Sequence, residues 1–254
     1  MSKEITTWDS PRLGRPLTVA RWGVTGVPLL LFPTAGGDAE ECERFLMLQV
    51  LAPFLERGEL KVYSVDSVAA RSWLDEDNHT QTASRMQERF FQAVLHEVVP
   101  AIRTDCRSED IEVLAAGASI GAYNALLSVC RAPEVFREAI CMSGTYDLSR
   151  FLEGPEVPEL RAVSPLHFLP EIPEDSPRLA LLRERFVLLT HGEGRWEDPS
   201  QSWRAAEALG GRGIPNRVDP WGQEWDHDWP TWREMLPRYL EEALVRVREE
   251  APRS

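Results

Sequence analysis

One stretch constrains the chain more than any other: Gly117-Ala118-Ser119-Ile120-Gly121. It follows a run, Ile111 to Ala116, that is apolar apart from Glu112, and it leads at once into a helical stretch, Ala122 to Cys130. Such a run suits a strand whose carboxyl half is buried on both faces, which requires helices on both sides of a sheet. The expected fold class is therefore α/β, with a mainly parallel sheet. The letters G-x-S-x-G recur by chance in many proteins; the strand before and the helix after give them meaning. In that setting a tight turn holds the serine in a strained backbone conformation at the strand's carboxyl end. Small residues at Gly117 and Gly121 let strand and helix approach closely. The helix amino end adds N–H groups and a positive dipole where an oxyanion would form. Ser119 is the candidate nucleophile, and the amide of Ile120 is the first candidate oxyanion donor.

Elsewhere, short apolar runs alternate with longer helical patterns. Strands are expected at Leu17 to Trp22, Val27 to Phe32, Leu60 to Val65, Ala139 to Met142, Arg185 to Thr190 and Asn216 to Asp219. Helical spacing covers Ala39 to Leu55, Thr82 to Arg103, Ser200 to Gly210 and Pro230 to Arg248. Residues 151–180 are rich in Pro, Glu and Leu with poor periodicity, and read as a cap-like insertion over the strand ends. At 254 residues, a single α/β domain is the default.

A serine hydroxyl needs a base within hydrogen-bond reach. Among the 5 histidines, only His227 lies between the last strand and the last helix. The acid that orients it belongs in the loop after Arg185 to Thr190. That loop offers Glu193, Glu197 and Asp198. Asp198 precedes Pro199 and a helical run, so it fits a helix N-cap with proline at the first position. Glu193 lies between two glycines. Glu197 is favoured, Asp198 comes next and Glu193 last. The Gly-rich loop Thr34-Ala-Gly-Gly-Asp38 can bring backbone N–H groups to a ligand, which makes the amide of Ala35 or Gly36 the second oxyanion donor.

Charge and cysteines narrow the partners. There are 28 basic and 41 acidic residues, a net charge of −13. That balance argues against nucleic acid and anionic membranes, which are bound by clustered Lys and Arg. No apolar run reaches the ~18 residues of a membrane span, and the first residues do not read as a secretory signal. Cys42, Cys106, Cys130 and Cys141 are widely spaced, without a C-x-x-C, so neither a metal site nor a disulfide framework is expected. Reduced thiols and a cytoplasmic location fit best. A small-molecule partner with no cofactor is expected; a homo-oligomer stays open.

The order Ser119, Glu197, His227 is that of the α/β-hydrolases. Nearly the whole chain, from about Leu17 to Leu244, resembles that superfamily and within it the family called Putative esterase. That family includes esterase D (S-formylglutathione hydrolase), feruloyl esterases and mycolyltransferases. The resemblance rests on Phe32-Pro-Thr-Ala-Gly-Gly-Asp38, Gly117-Ala-Ser-Ile-Gly-Ala-Tyr123, Ser143-Gly-Thr-Tyr-Asp147, Gly194-Arg-Trp-Glu197 and His227-Asp-Trp-Pro-Thr-Trp232. In relatives the acid stands three residues after a glycine, as Glu197 does after Gly194. The usual oxyanion loop of the family is replaced here by Pro-Thr-Ala-Gly. The resemblance implies hydrolysis of a carboxylic ester through an acyl-enzyme. Acyl transfer from the same intermediate is one alternative, and a non-catalytic binding protein on this scaffold is another. Trp229 and Trp232 share a helical face and are expected to pack the last helix on the sheet.

Overall fold

The computed structural model describes residues 2–74, 79–148 and 157–250. Its strands are β1 (Lys3–Ser10), β2 (Arg15–Trp22), β3 (Val27–Phe32), β4 (Leu60–Val65), β5 (Val113–Ala118), β6 (Phe136–Met142), β7 (Phe186–His191) and β8 (Asn216–Pro220). They form one sheet in the order β1-β2-β4-β3-β5-β6-β7-β8. β2 pairs antiparallel with β1 and β4, and every other pairing is parallel. The helices are α1 (Glu41–Arg44), α2 (Met47–Glu56), α3 (Val68–Leu74), α4 (Thr80–Ala93), α5 (Val99–Cys106), α6 (Ile120–Arg131), α7 (Pro158–Val163), α8 (Pro165–Phe168), α9 (Pro177–Leu182), α10 (Pro199–Gly210) and α11 (Trp229–Glu250). None is long and apolar enough to cross a membrane among the described residues.

Strand side chains alternate between faces, and the two faces have separate cores. Leu30, Phe32, Ala115, Cys141 and Leu189 pack with α4, α6 and α10. Their neighbours Leu29, Leu31, Ala116, Ile140 and Leu188 pack with α2 and α11. Central strands apolar on both faces follow from this sandwich, as β5 illustrates.

Three sequence expectations need correction. β1 was not anticipated, because most of it is exposed and polar; pairing to β2 makes it a strand. The single helix expected over Ala39 to Leu55 is two helices, broken where Leu46 takes a φ of 63°. The long helix after Thr82 carries a π segment, Val94–Val98, just before Pro100. A wider turn accommodates a residue that lacks an N–H. Of the cap-like insertion at 151–180, residues 151–156 lie outside the described residues. In the remainder, α7 and α9 bury Leu160, Val163, Leu179 and Leu182 in the core, with α7 against α4 and α8 against α6.

Parallel pairing gathers the loops after β3, β5, β6, β7 and β8 on one edge of the sheet. The candidate residues lie in those loops, with Ile120 at the first position of α6.

Candidate active site

Ser119 follows β5 with φ 57° and ψ −123°, in the left-handed half of backbone space that a residue with a side chain enters at a cost of about 1–3 kcal/mol. The turn is fixed around it. Its amide donates to the Met142 carbonyl at 3.0 Å, and its carbonyl accepts from Ala122 at 3.1 Å and Thr145 at 3.3 Å. A Cβ on Gly117 would lie 2.3 Å from the Gly121 carbonyl carbon, and one on Gly121 would lie 2.4 Å from the Phe32 carbonyl oxygen. Both glycines are therefore demanded by close approach. The second of these contacts seats the elbow against the end of β3, where the candidate oxyanion loop begins.

Glu197 and His227 are brought together across adjacent loops. Glu197 Oε2 lies 3.5 Å from His227 Nδ1, with the carboxylate side chain 1% and the imidazole 22% exposed. At that separation Nδ1 makes no formed hydrogen bond. Such bonds are often long before substrate binds and tighten in the complex. The other carboxylate oxygen accepts from Ser143 Oγ and from the Gly192 amide at 3.2 Å. Trp196, at φ 68° and 84% exposed, makes the bend that turns the following Glu197 inward.

The other acid candidates are not brought to the histidine. Glu193 is exposed. Asp198 takes the N-cap position before Pro199, as expected. Its carboxylate bonds the side chains of Ser200 and Gln201 rather than a helix amide.

The loops carrying acid and base are laced by backbone bonds that extend the β7–β8 pairing. Trp221 N donates to His191 O at 2.9 Å, Glu193 N to Gly222 O at 2.8 Å, Gly194 N to Trp225 O at 3.0 Å and His227 N to Arg195 O at 2.9 Å. Asp226 accepts from the Arg195 amide at 2.7 Å and from its guanidinium. Residues flanking the acid thus hold residues flanking the base.

Sequence reasoning missed two supports. Ser143, at φ 47° after β6, donates to Glu197 and accepts from Trp232 Nε1 at 2.9 Å. The Trp232 ring also meets His227 edge-on, with centroids 5.2 Å apart. Trp232 is buried as expected, but its indole does more than fill space. It touches the base with its ring and reaches the acid through Ser143. The 54-residue separation between Ser143 and Glu197 left no local spacing to signal the bond.

The loop after β3 is tied on both sides of its tip. Thr34 donates its amide to Glu41 Oε2 at 2.7 Å and its hydroxyl to Glu41 Oε1 at 2.6 Å. Gly37 N donates to Thr34 O at 3.1 Å, Ser67 N to Gly37 O at 3.3 Å and Ala39 N to Asp66 Oδ1 at 3.1 Å. Among the described residues, none of these bonds uses the amides of Ala35 or Gly36.

No curated protein matches the sequence. The architecture recurs in solved structures. A ferulic acid esterase superposes with a TM-score of 0.70 at 17% identity, covering 93% of this chain and 95% of that one. An S-formylglutathione hydrolase from Staphylococcus aureus gives 0.69 at 13%, covering 96% of each chain. A fluorophosphonate-binding serine hydrolase from the same organism gives 0.66 at 14%, covering 96% of this chain and 98% of that one. At these identities the likeness establishes the α/β-hydrolase fold. Residues 58–248 match the family described as Putative esterase, and with well over half its length matched, the chain belongs to that family of carboxylic ester hydrolases.

Proposed function

We propose that the protein is a serine carboxylesterase that works through an acyl-enzyme, with Ser119 as nucleophile, His227 as base and Glu197 as the acid that orients it. The observation that carries this reading is the gathering on one sheet edge of a strained serine and a buried carboxylate 3.5 Å from an imidazole. Ser119 Oγ attacks the ester carbonyl as His227 takes its proton. The amides of Ile120 and of Ala35 or Gly36 receive the charge that develops on the carbonyl oxygen. His227 then protonates the departing alcohol. Water, deprotonated by His227, attacks the acyl-enzyme and releases the acid. Glu197 stabilises the imidazolium that forms in each half-reaction.

Phe45 and Trp229 stack 4.8 Å apart, and Trp229 shares a small cavity with Ala118 and Thr34. Together they place an apolar wall beside the elbow. The four cysteines are unpaired, and Cys42, Cys130 and Cys141 are buried, which supports a reducing compartment such as the cytoplasm.

The test is intact-mass spectrometry after fluorophosphonate treatment of wild type and Ser119→Ala. A single adduct on wild type and none on the variant is expected. Absence of an adduct on folded wild type would remove Ser119 as an activated nucleophile and favour a binding role for the scaffold.

A further inference from the structure

Glu41 is a buried carboxylate that the mechanism above does not use. It is 5% exposed at the start of α1. Burial pushes its carboxyl upward in pKa, against the opposing pull of the bonds from Thr34. An ionised group is costly to remove from water, and a surface loop can be turned with neutral side chains alone. Both of its oxygens receive Thr34, one from the amide and one from the hydroxyl. The same small cavity is walled by Thr34, Glu41, Ala118 and Trp229, so the clamp lies beside the residue that precedes Ser119.

We propose, building on the esterase reading, that Glu41 is a positioning residue for the oxyanion hole: by clamping Thr34 it fixes the loop so that the amide of Ala35 or Gly36 is held ready for the oxyanion. The bonding pattern supports the role. The Thr34 amide is taken by Glu41 and the Gly37 amide by Thr34 O. Gly37 O and the Ala39 amide are anchored to the segment after β4 through Ser67 and Asp66. The Ala35-Gly36 tip stands between these anchors with its two amides outside the loop's own bonds. A hole of fixed donors needs no rearrangement when charge develops, and that is the source of its effect on rate. Glu41 touches neither substrate nor nucleophile; it acts through Thr34.

The chemistry of the clamp selects the variants. In Glu41→Gln the amide oxygen can still accept the Thr34 N–H, and the NH2 can donate to the Thr34 hydroxyl, so both links survive with one reversed. Glu41→Ala loses both. Gly37→Ala leaves the carboxylate in place but sets a methyl 2.5 Å from its carbon, forcing the clamp to move. Each protein is first titrated with fluorophosphonate, and kcat and KM for 4-nitrophenyl acetate are expressed per labelled site. A trifluoromethyl ketone, whose adduct carries an oxyanion, is then used as inhibitor.

Glu41→Ala and Gly37→Ala are expected to lower kcat about 10- to 100-fold with KM within about twofold. They should weaken the trifluoromethyl ketone by a matching factor, while Glu41→Gln stays within about threefold of wild type. A loss confined to thermal stability, with kcat per labelled site unchanged in both variants, would overturn the clamp and leave the esterase intact. An equal loss in Glu41→Gln would also overturn it. Failure of wild type to label would instead strike the esterase reading itself. If Glu41→Ala does not fold, Gly37→Ala carries the test alone.

Discussion

The pairing of acid and base depends on how closely two loops approach, and Gly192 sets that approach. A Cβ there would lie 1.9 Å from the Trp225 carbonyl oxygen and 2.7 Å from its carbon. Gly192 has no left-handed backbone torsion, so alanine is penalised by contact alone. Ordinary contact begins near 3.4 Å, so Gly192→Ala must open the loops by about 1.5 Å. His227 stands two residues beyond Trp225, and Glu197 is tied to the Gly192 amide. The Glu197–His227 separation would then grow from 3.5 Å to about 5 Å. With an effective dielectric near 20, the attraction between carboxylate and imidazolium falls by about 1.4 kcal/mol, roughly tenfold in rate. Misalignment of the base by ~1 Å adds a comparable factor, so a loss of about 100-fold in kcat is expected.

The assay is kcat and KM for 4-nitrophenyl acetate, with the melting temperature measured in parallel. Gly210→Ala serves as control, since its new methyl meets only Asn216, at 3.9 Å; it should be silent. A kcat for Gly192→Ala within threefold of wild type, with unchanged KM, would refute the reasoning. It would mean that the Trp225 carbonyl can yield without moving His227.

Other perturbations separate the remaining roles. Glu197→Gln should lower kcat by about 100- to 10,000-fold, whereas Asp198→Asn, at an exposed cap, should change it less than threefold; steady-state kinetics on both variants decide which acid serves His227. Ser143→Ala and Trp232→Phe should each cost about tenfold in kcat, and a double-mutant cycle should find the pair far from additive, because both act through one chain of bonds to Glu197. His191 is 1% exposed with neither ring nitrogen bonded, and burial lowers its pKa. The unfolded chain therefore takes up a proton below about pH 6.5 that the folded chain resists, and wild type loses stability as pH falls through that value. His191→Leu removes this loss, so its melting temperature relative to wild type should be higher at pH 5.5 than at pH 8.

Much of the site was legible because its constraints are local. A nucleophile elbow needs its glycines within four residues of each other, and the strand and helix flanking Ser119 announce themselves by apolar pattern. His227 and Glu197 were placed by chain order together with the capping role of Asp198. The unread parts depend on contacts between distant segments. Ser143 and Trp232 are 89 residues apart, and neither looks unusual in its own window. The clamp between Thr34 and Glu41 lies within a short stretch, yet a glutamate at the start of a helical pattern reads as ordinary surface until its burial is seen. β1 fails for another reason: an edge strand exposed on both sides carries no hydrophobic alternation to detect.

Position in the sheet explains why the supports cluster where they do. β6 runs parallel beside β5 and β7 beside β6, so their carboxyl ends share the edge that carries the elbow. Ser143 and Thr145 exploit that adjacency, one donating to Glu197 and the other to the Ser119 carbonyl. Gln201 on α10 in turn accepts the amides of Tyr146 and Asp147 at 2.9 Å, and Arg204 pairs with Asp147. The loop after β6 is thus pinned by the helix that follows the acid. Moving α10 would disturb Glu197 directly through Asp198 and indirectly through Ser143. Replacing Gln201 cuts both its bonds to the β6 loop and its bond to Asp198, and a Ser143 background separates the two routes. Gln201→Leu, buried and remote from substrate, should lower kcat severalfold while leaving KM unchanged, and Ser143→Ala should abolish most of that difference. Equal effects of Gln201→Leu in the presence and absence of the Ser143 hydroxyl would show that Gln201 does not act through the Ser143 bond to Glu197.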